Sequence, residues 1–393
     1  MNSDPASTPP TQQSRDLSPK PGKTLNLFVD AHVFDDEFQG TRTFLREIYA
    51  LLAKKTDLRL FLAAGDTKNL EKYFPRQDNI RFLSYKSGSS LVRLGWEIPS
   101  LLKKHAIDYA HFQYITPLTK RSKYIVTIHD VIFSEYPEEF SLPYRWSKRF
   151  LYGRSARMAD IVTTVSAYSK KSIGKFLGID PGSVHVVPNG VGPKFFEPYD
   201  KLRSKDFVAG KYGPRHFVLY VSRIEPRKNH ILLLRAWLEL ELYKKGIWLV
   251  LLGHQSIPIP DFDKVLNDLP AEISRLIYRD DRVGDDDLLE FYRAADVFVY
   301  PSKAEGFGIP PLEAGALKIP VICSNTSAME QFSFFGENHI DPFDFPSFTA
   351  RLSANLVSPP AEEELARLSG LIHREYSWER AAEALYKILP LQK

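Results

Sequence analysis

Two successive sets of short apolar runs, each run followed by a helix-length segment, constrain this chain more than any other feature. In the first set, residues 24–30, 58–63, 110–112, 124–129, 161–165 and 184–188 read as strands. Phe44, Leu45, Ile48, Leu51 and Leu52 recur at helical spacing, and residues 96–105 form a further helix. In the second set, strands at 216–221, 247–252, 296–300 and 321–323 alternate with helices at 231–243 and 286–294. Strands alternating with helices predict parallel sheets covered on both faces. At 393 residues the chain suits two such units better than one large core. The expected division is a first domain over 24–195, a second over 214–375, and a terminal helix over 376–393. Residues 196–213, polar and carrying Pro198, Gly210 and Gly213, read as an irregular linker.

Composition sets outer limits. A hydrophobic fraction of 44% with 25% charged residues is that of a soluble globular enzyme. A net charge of +4 favours anionic ligands only mildly and gives no reason to expect nucleic acid as a partner. Cys323, the single cysteine, sits in the apolar run Ile319-Pro320-Val321-Ile322 and reads as a buried thiol. No segment is long and apolar enough to span a bilayer. Residues 1–23 are rich in Pro, Ser, Thr and Gln and lack an apolar stretch; they predict a disordered tail rather than a signal peptide, and hence a cytoplasmic protein.

The most informative stretch is Glu305-Gly306-Phe307-Gly308-Ile309-Pro310-Pro311-Leu312-Glu313. It follows a predicted strand, and the paired prolines suit the first turn of a helix. The amides of Gly306, Phe307, Gly308 and Ile309 would then project beyond a positive helix end, where phosphate binds. Carboxylates repel phosphate, so Glu305 and Glu313 are expected to accept hydrogen bonds from hydroxyls on either side of it. A diphosphate with sugar hydroxyls at both ends is a nucleotide sugar.

This pattern resembles the E-x7-E motif of the retaining family 4 (group 1) glycosyltransferases, which have the GT-B fold of two Rossmann-like domains facing a cleft. The resemblance extends over nearly the whole chain from about Leu25 and is nearest to the mannosyltransferases. It implies that Glu313 holds the ribose, that Glu305 lies beside the donor sugar, and that the terminal helix crosses back onto the first domain.

Four further segments fit it. Val221-Ser222-Arg223-Ile224-Glu225-Pro226-Arg227-Lys228-Asn229 follows a strand and resembles the family's phosphate-binding segment, giving Arg223 and Lys228 as phosphate ligands. The loop is a residue shorter than in some relatives, so Arg223 and Arg227 could exchange roles. His129-Asp130, also at a strand end, places His129 against the donor sugar. Gly40 stands where the family has a glycine-rich turn, in Gln39-Gly40-Thr41-Arg42-Thr43, and Arg42 would supply a cation that the shorter glycine pattern lacks. Asn189-Gly190 matches a turn that faces the cleft.

Two features need separate readings. Asp285-Asp286-Asp287 contains the D-x-D of a different glycosyltransferase fold, but its place before Leu288-Leu289 reads as a helix N-cap and first turn, so no metal site is expected. Residues 144–157 carry Arg145, Lys148, Arg149, Arg154 and Arg157 without an acid. On a helix, Arg145, Lys148, Arg149 and Tyr152 would share a face able to contact an anionic membrane or a pyrophosphate-linked acceptor, with Trp146 and Phe150 on another.

The expectation is therefore a metal-independent, retaining GT-B enzyme with no cofactor. It would transfer a hexose, foremost mannose from GDP-mannose, to a saccharide or lipid-linked acceptor in surface polysaccharide or glycolipid synthesis. A UDP-glucose or UDP-N-acetylglucosamine donor, a nucleotide-sugar 2-epimerase on the same fold, and an inactive nucleotide-sugar-binding subunit are the rivals.

Overall fold

The computed structural model describes residues 24–35, 40–255 and 257–390. The expected N-terminal tail and Gln39 lie outside them. Seven strands form the first sheet: β1 (Leu25–Asp30), β2 (Leu58–Ala64), β3 (Ile80–Ser84), β4 (Tyr109–Gln113), β5 (Lys123–Thr127), β6 (Ile161–Thr164) and β7 (Val184–Val186). Their spatial order is β3-β2-β1-β4-β5-β6-β7, with every pairing parallel. The second sheet holds β8 (Phe217–Val221), β9 (Trp248–Leu252), β10 (Ile277–Asp280), β11 (Val297–Tyr300), β12 (Val321–Ser324) and β13 (His339–Ile340). Its order is β10-β9-β8-β11-β12-β13, again wholly parallel. Strands such as β2 and β9 are buried along most of their length because helices cover both faces.

In each sheet the order reverses at one point, between β1 and β4 and between β8 and β11. Loops leaving neighbouring strands there diverge and open a crevice at the carboxyl ends, where doubly wound sheets bind ligands. His129-Asp130 follows β5, Arg223–Lys228 follows β8, and Glu305–Gly308 follows β11. All three lie at such ends.

The segment expected to be an irregular linker is a helix, Lys201–Tyr212. Asp200 caps it by accepting from the amides of Leu202 and Arg203 at 2.9 and 3.2 Å. Its buried face is built from Ser204, Lys205 and Val208, so there is no apolar stripe to read. Lys205 enters the interior by pairing with Asp296 at 2.5 Å.

The terminal helix Trp378–Ile388 lies on the first domain's helix Gly40–Leu52. The Tyr386 hydroxyl donates to Asp57 at 2.6 Å, and Lys55 pairs with Glu383 at 3.4 Å. Gly190 makes this return possible: a Cβ there would stand 2.3 Å from the Trp378 nitrogen. Beside it, the Val191 amide donates to the Tyr376 carbonyl at 2.8 Å.

Candidate active site

The helix that ends the Gly/Pro turn runs Ile309–Ala316, with both prolines in its first turn. Gly308 caps it at φ 96°, a left-handed conformation open to glycine. Gly306 is required by proximity instead. A Cβ there would lie 2.9 Å from the Asp130 Cβ and 3.2 Å from the His129 carbonyl oxygen, so the two domains meet at this residue. Its carbonyl accepts from Ser166 Oγ at 2.8 Å and Ser169 Oγ at 3.1 Å. Ser166 is also the N-cap of the first domain's helix Ala167–Leu177. A third bond across the cleft runs from the Tyr136 hydroxyl to the Lys303 carbonyl, 3.1 Å. Phe307 turns inward, packing edge-on against Phe332 and Tyr376.

Glu305, Arg227 and Lys228 form one buried cluster. Lys228 Nζ bonds Glu305 Oε1 and donates to the Tyr300 hydroxyl at 3.1 Å. Arg227 Nη1 reaches Glu305 Oε2 at 3.3 Å and the Ala304 carbonyl at 2.8 Å, while its Nη2 pairs with Glu225 at 3.0 Å. Both Glu305 oxygens thus face cations, whereas the sequence suggested sugar hydroxyls as their partners. Burial opposes the Glu305 charge, but Lys228 and Arg227 outweigh it and hold the carboxyl at about 2. Burial and Arg227 together lower Lys228 to about 8.

The structure separates the two arginines. The Arg223 side chain is 64% exposed and reaches Glu225 at 3.4 Å, while Arg227 is buried at the cluster.

Glu313, two turns along the motif, has a different setting. It accepts from the Tyr292 hydroxyl at 2.9 Å. Burial raises it to about 7, against the pull of Tyr292, Lys194 and Arg46. Arg46 belongs to Gly40–Leu52, so the first domain's field reaches this carboxylate.

On the first domain, His129 is buried, with Nε2 at 2.7 Å from Gln113 Oε1 and the Phe44 ring edge-on at 5.0 Å. Burial depresses it to about 3, leaving it neutral. Burial raises Asp130, which also accepts from the Ile132 amide at 3.2 Å.

Other sequence candidates are placed differently. Gly40 is exposed at the start of its helix, and a Cβ there would meet nothing within 4 Å. Arg42 bonds the Tyr73 hydroxyl and lies over the Tyr73 ring at 4.9 Å, held within its own domain. Asn189 is buried, with an Oδ1 that has no hydrogen-bond partner among the described residues. Asp285, Asp286 and Asp287 fill the first turn of Asp285–Ala294, with Gly284 rather than an aspartate as the cap. Asp287 is bonded to Lys211 and Tyr212, both at 2.7 Å.

On the basic helix, Leu142–Met158, the face of Arg145, Lys148, Arg149 and Tyr152 is mixed: Arg149 is exposed, Arg145 and Lys148 are half-buried and Tyr152 is buried. Trp146 and Phe150 are 74% and 70% exposed, and Leu142 also faces solvent. Arg154 donates to the Thr116 and Pro117 carbonyls and Arg157 to that of Leu177. Lys148 sits over the Tyr144 and Tyr152 rings. No helix among the described residues is long and apolar enough to cross a membrane.

The sequence reading missed Tyr292, Tyr300, Ser166, Ser169, Arg46 and Gln113. Tyr292 and Tyr300 give no signal in the sequence, because their rings pack in the core while their hydroxyls reach Glu313 and Lys228. Gln113 had a signal: Tyr109-Ala110-His111-Phe112-Gln113 alternates polar with apolar inside a buried strand, where polar groups need partners.

Two parallel α/β domains meeting at a cationic, helix-ended cleft define a GT-B glycosyltransferase, and comparison with known proteins agrees. Residues 38–195 match the family described as Glycosyltransferase Family 4, and residues 203–338 match Glycosyl transferases group 1. The chain belongs to these glycosyltransferases and is a hexosyltransferase. It is 28% identical over 298 residues to the O-antigen chain mannosyltransferase B of Escherichia coli, an alignment covering 72% of this chain and 76% of that protein. Sucrose-phosphate synthase of Thermosynechococcus elongatus superposes with a TM-score of 0.72 at 17% identity, over 93% of this chain and 98% of the other. Anabaena HepE in complex with UDP-glucose gives 0.69 at 16%, with the same coverage. At these identities the two structures are similar in fold.

Proposed function

We propose that the cleft transfers a hexose from a nucleotide diphosphate sugar to a hydroxyl of a saccharide or lipid-linked acceptor, retaining the anomeric configuration. The observation that carries this reading is the buried Arg227–Lys228–Glu305 cluster beside the amino end of Ile309–Ala316. It combines two cations and a helix dipole within reach of one diphosphate. Lys228 and Arg227 bind the phosphates and stabilise the charge that grows as the glycosidic bond breaks, with the exposed Arg223 closing over them. Glu305 orients the two cations and Glu313 takes the ribose. His129, neutral and opposite Gly306, accepts from a hydroxyl of the donor sugar.

With the leaving charge met by side chains and amides, no metal ion is required. Glu305 is not a free nucleophile, since it is bonded to cations through both oxygens. In this reading the departing phosphate oxygen takes the acceptor proton on the face it leaves, while the acceptor oxygen bonds to the anomeric carbon. GDP-mannose is the leading donor because the Escherichia coli relative is a mannosyltransferase. The outward stripe of Leu142, Trp146 and Phe150, with Arg145 and Arg149 and no acid from Ser141 to Met158, lies against an anionic lipid surface in this account.

Incubation with GDP-mannose, UDP-glucose and UDP-N-acetylglucosamine in EDTA, with and without saccharide acceptors, tests the proposal. Acceptor-dependent release of one nucleoside diphosphate is expected. Release of a free altered sugar without acceptor points to epimerisation, and no turnover with any donor points to a binding subunit.

A further inference from the structure

Beneath the helix Gly40–Leu52, the first sheet carries a ladder of polar side chains in an otherwise apolar layer. His111 and Gln113 lie two residues apart on β4, Gln113 is paired in register with Thr127 on β5, and Thr127 with Thr163 on β6. All four are buried, as is His129 just beyond β5. His111 is bonded at both ring nitrogens: Nδ1 lies 2.5 Å from the Tyr49 hydroxyl oxygen and Nε2 lies 2.6 Å from Thr127 Oγ1. Thr127 Oγ1 is in turn 2.6 Å from Thr163 Oγ1. The Gln113 carboxamide stands between the two histidines, with Oε1 2.7 Å from His129 Nε2 and Nε2 3.3 Å from His111 Nε2.

A carboxamide is directional, because its oxygen only accepts and its nitrogen only donates. The oxygen facing His129 therefore requires the proton of that neutral ring on Nε2, which leaves Nδ1 as an acceptor. The nitrogen facing His111 requires a lone pair on its Nε2, so the His111 proton sits on Nδ1 and is donated to Tyr49. Turning the amide over would require both rings to exchange tautomer together, so the two histidines are coupled through Gln113. Tyr49 and Thr127, whose hydroxyls can each donate or accept, hold the His111 ring against Gln113.

We propose that Gln113 is a positioning residue that holds His129 in its Nε2–H tautomer, presenting Nδ1 to a hydroxyl of the bound sugar. The assignment rests on the role given to His129 under the proposed function. Gln113 itself touches no substrate and acts through His129.

Nitrogen-15 NMR of histidine-labelled protein tests this without turnover. The wild-type His129 signals should show one neutral tautomer protonated at Nε2. Gln113→Met, close in volume and without polar atoms, should give a mixture or the Nδ1–H form. Its kcat should fall about tenfold while donor KM and nucleotide binding stay within a factor of about two. An Nδ1–H wild type, or an unchanged His129 signal in a folded Gln113→Met, overturns the proposal. Loss of thermal stability with unchanged tautomer and kcat would mark a merely structural glutamine and also overturn it. A confirmed tautomer in a protein that turns over none of the donors would instead count against the transferase reading.

Discussion

Glu305, buried, and Glu313, half-buried, bracket one short turn and are driven in opposite directions. At the Glu305 end, burial opposes ionisation but two cations overcome it, and the carboxyl is held at about 2. At the Glu313 end, burial wins over one tyrosine hydroxyl and two more distant cations, and the carboxyl rises to about 7. Residue type and spacing make the two look equivalent; their surroundings make one a fixed anion and the other a group that titrates near neutrality. The fixed anion suits a site that must keep cations aligned for a diphosphate. The titrating group suits neutral hydroxyls, with which it can bond in either state.

The largest break between the two ends is expected from Lys228→Ala. It removes a charge whose contribution grows toward the transition state, so kcat should fall by about a hundredfold or more in steady-state assays. Glu313→Gln should act mainly on binding: donor KM should rise about tenfold with kcat changed only a few-fold. Equal effects of the two substitutions on kcat would contradict separate roles for Lys228 and Glu313.

A pH titration sharpens the contrast further. Ionisation of Glu313 favours accepting from ribose hydroxyls, so nucleotide affinity should rise as pH increases through about 7. Lys228 binds phosphate only when protonated, so affinity should fall as pH rises above about 8. Calorimetric Kd values should therefore be lowest between these limits, and Glu313→Gln should abolish the acid limb alone. A flat profile in the wild type would contradict both assignments.

How much of this was legible in the sequence depended on how each part is built. The second domain's half of the cleft comes from contiguous stretches, 223–228 and 305–313, whose glycines, prolines and charges are visible as motifs. Even there, Tyr292 and Tyr300 were hidden because their rings serve the core while their hydroxyls serve Glu313 and Lys228. The first domain's half is assembled from alternate residues of β4, β5 and β6, which parallel pairing brings together and linear order scatters. The strands left unread, β3, β10 and β13, lie at sheet edges. Edge strands are covered less fully and lack continuous apolar runs, as the half-exposed Ile277–Asp280 illustrates. On the basic helix the outward Trp146 and Phe150, and the commitment of Arg154 and Arg157 to backbone carbonyls, depend on tertiary partners that the charge pattern does not reveal.

The smallest expected effect is at that helix. Trp146→Ser with Phe150→Ser should weaken flotation with vesicles containing anionic lipid by about fivefold. Turnover of a water-soluble acceptor and the melting temperature should stay near wild type. Unchanged flotation would remove the lipid surface from the account.

The most direct test of the central claim is the NMR spectrum of the product formed from an α-linked nucleotide sugar and a saccharide acceptor. Retention, with the leaving phosphate accepting the acceptor proton and Lys228 and Arg227 stabilising its charge, predicts an α-linked product and one equivalent of nucleoside diphosphate. A β-linked product would contradict it.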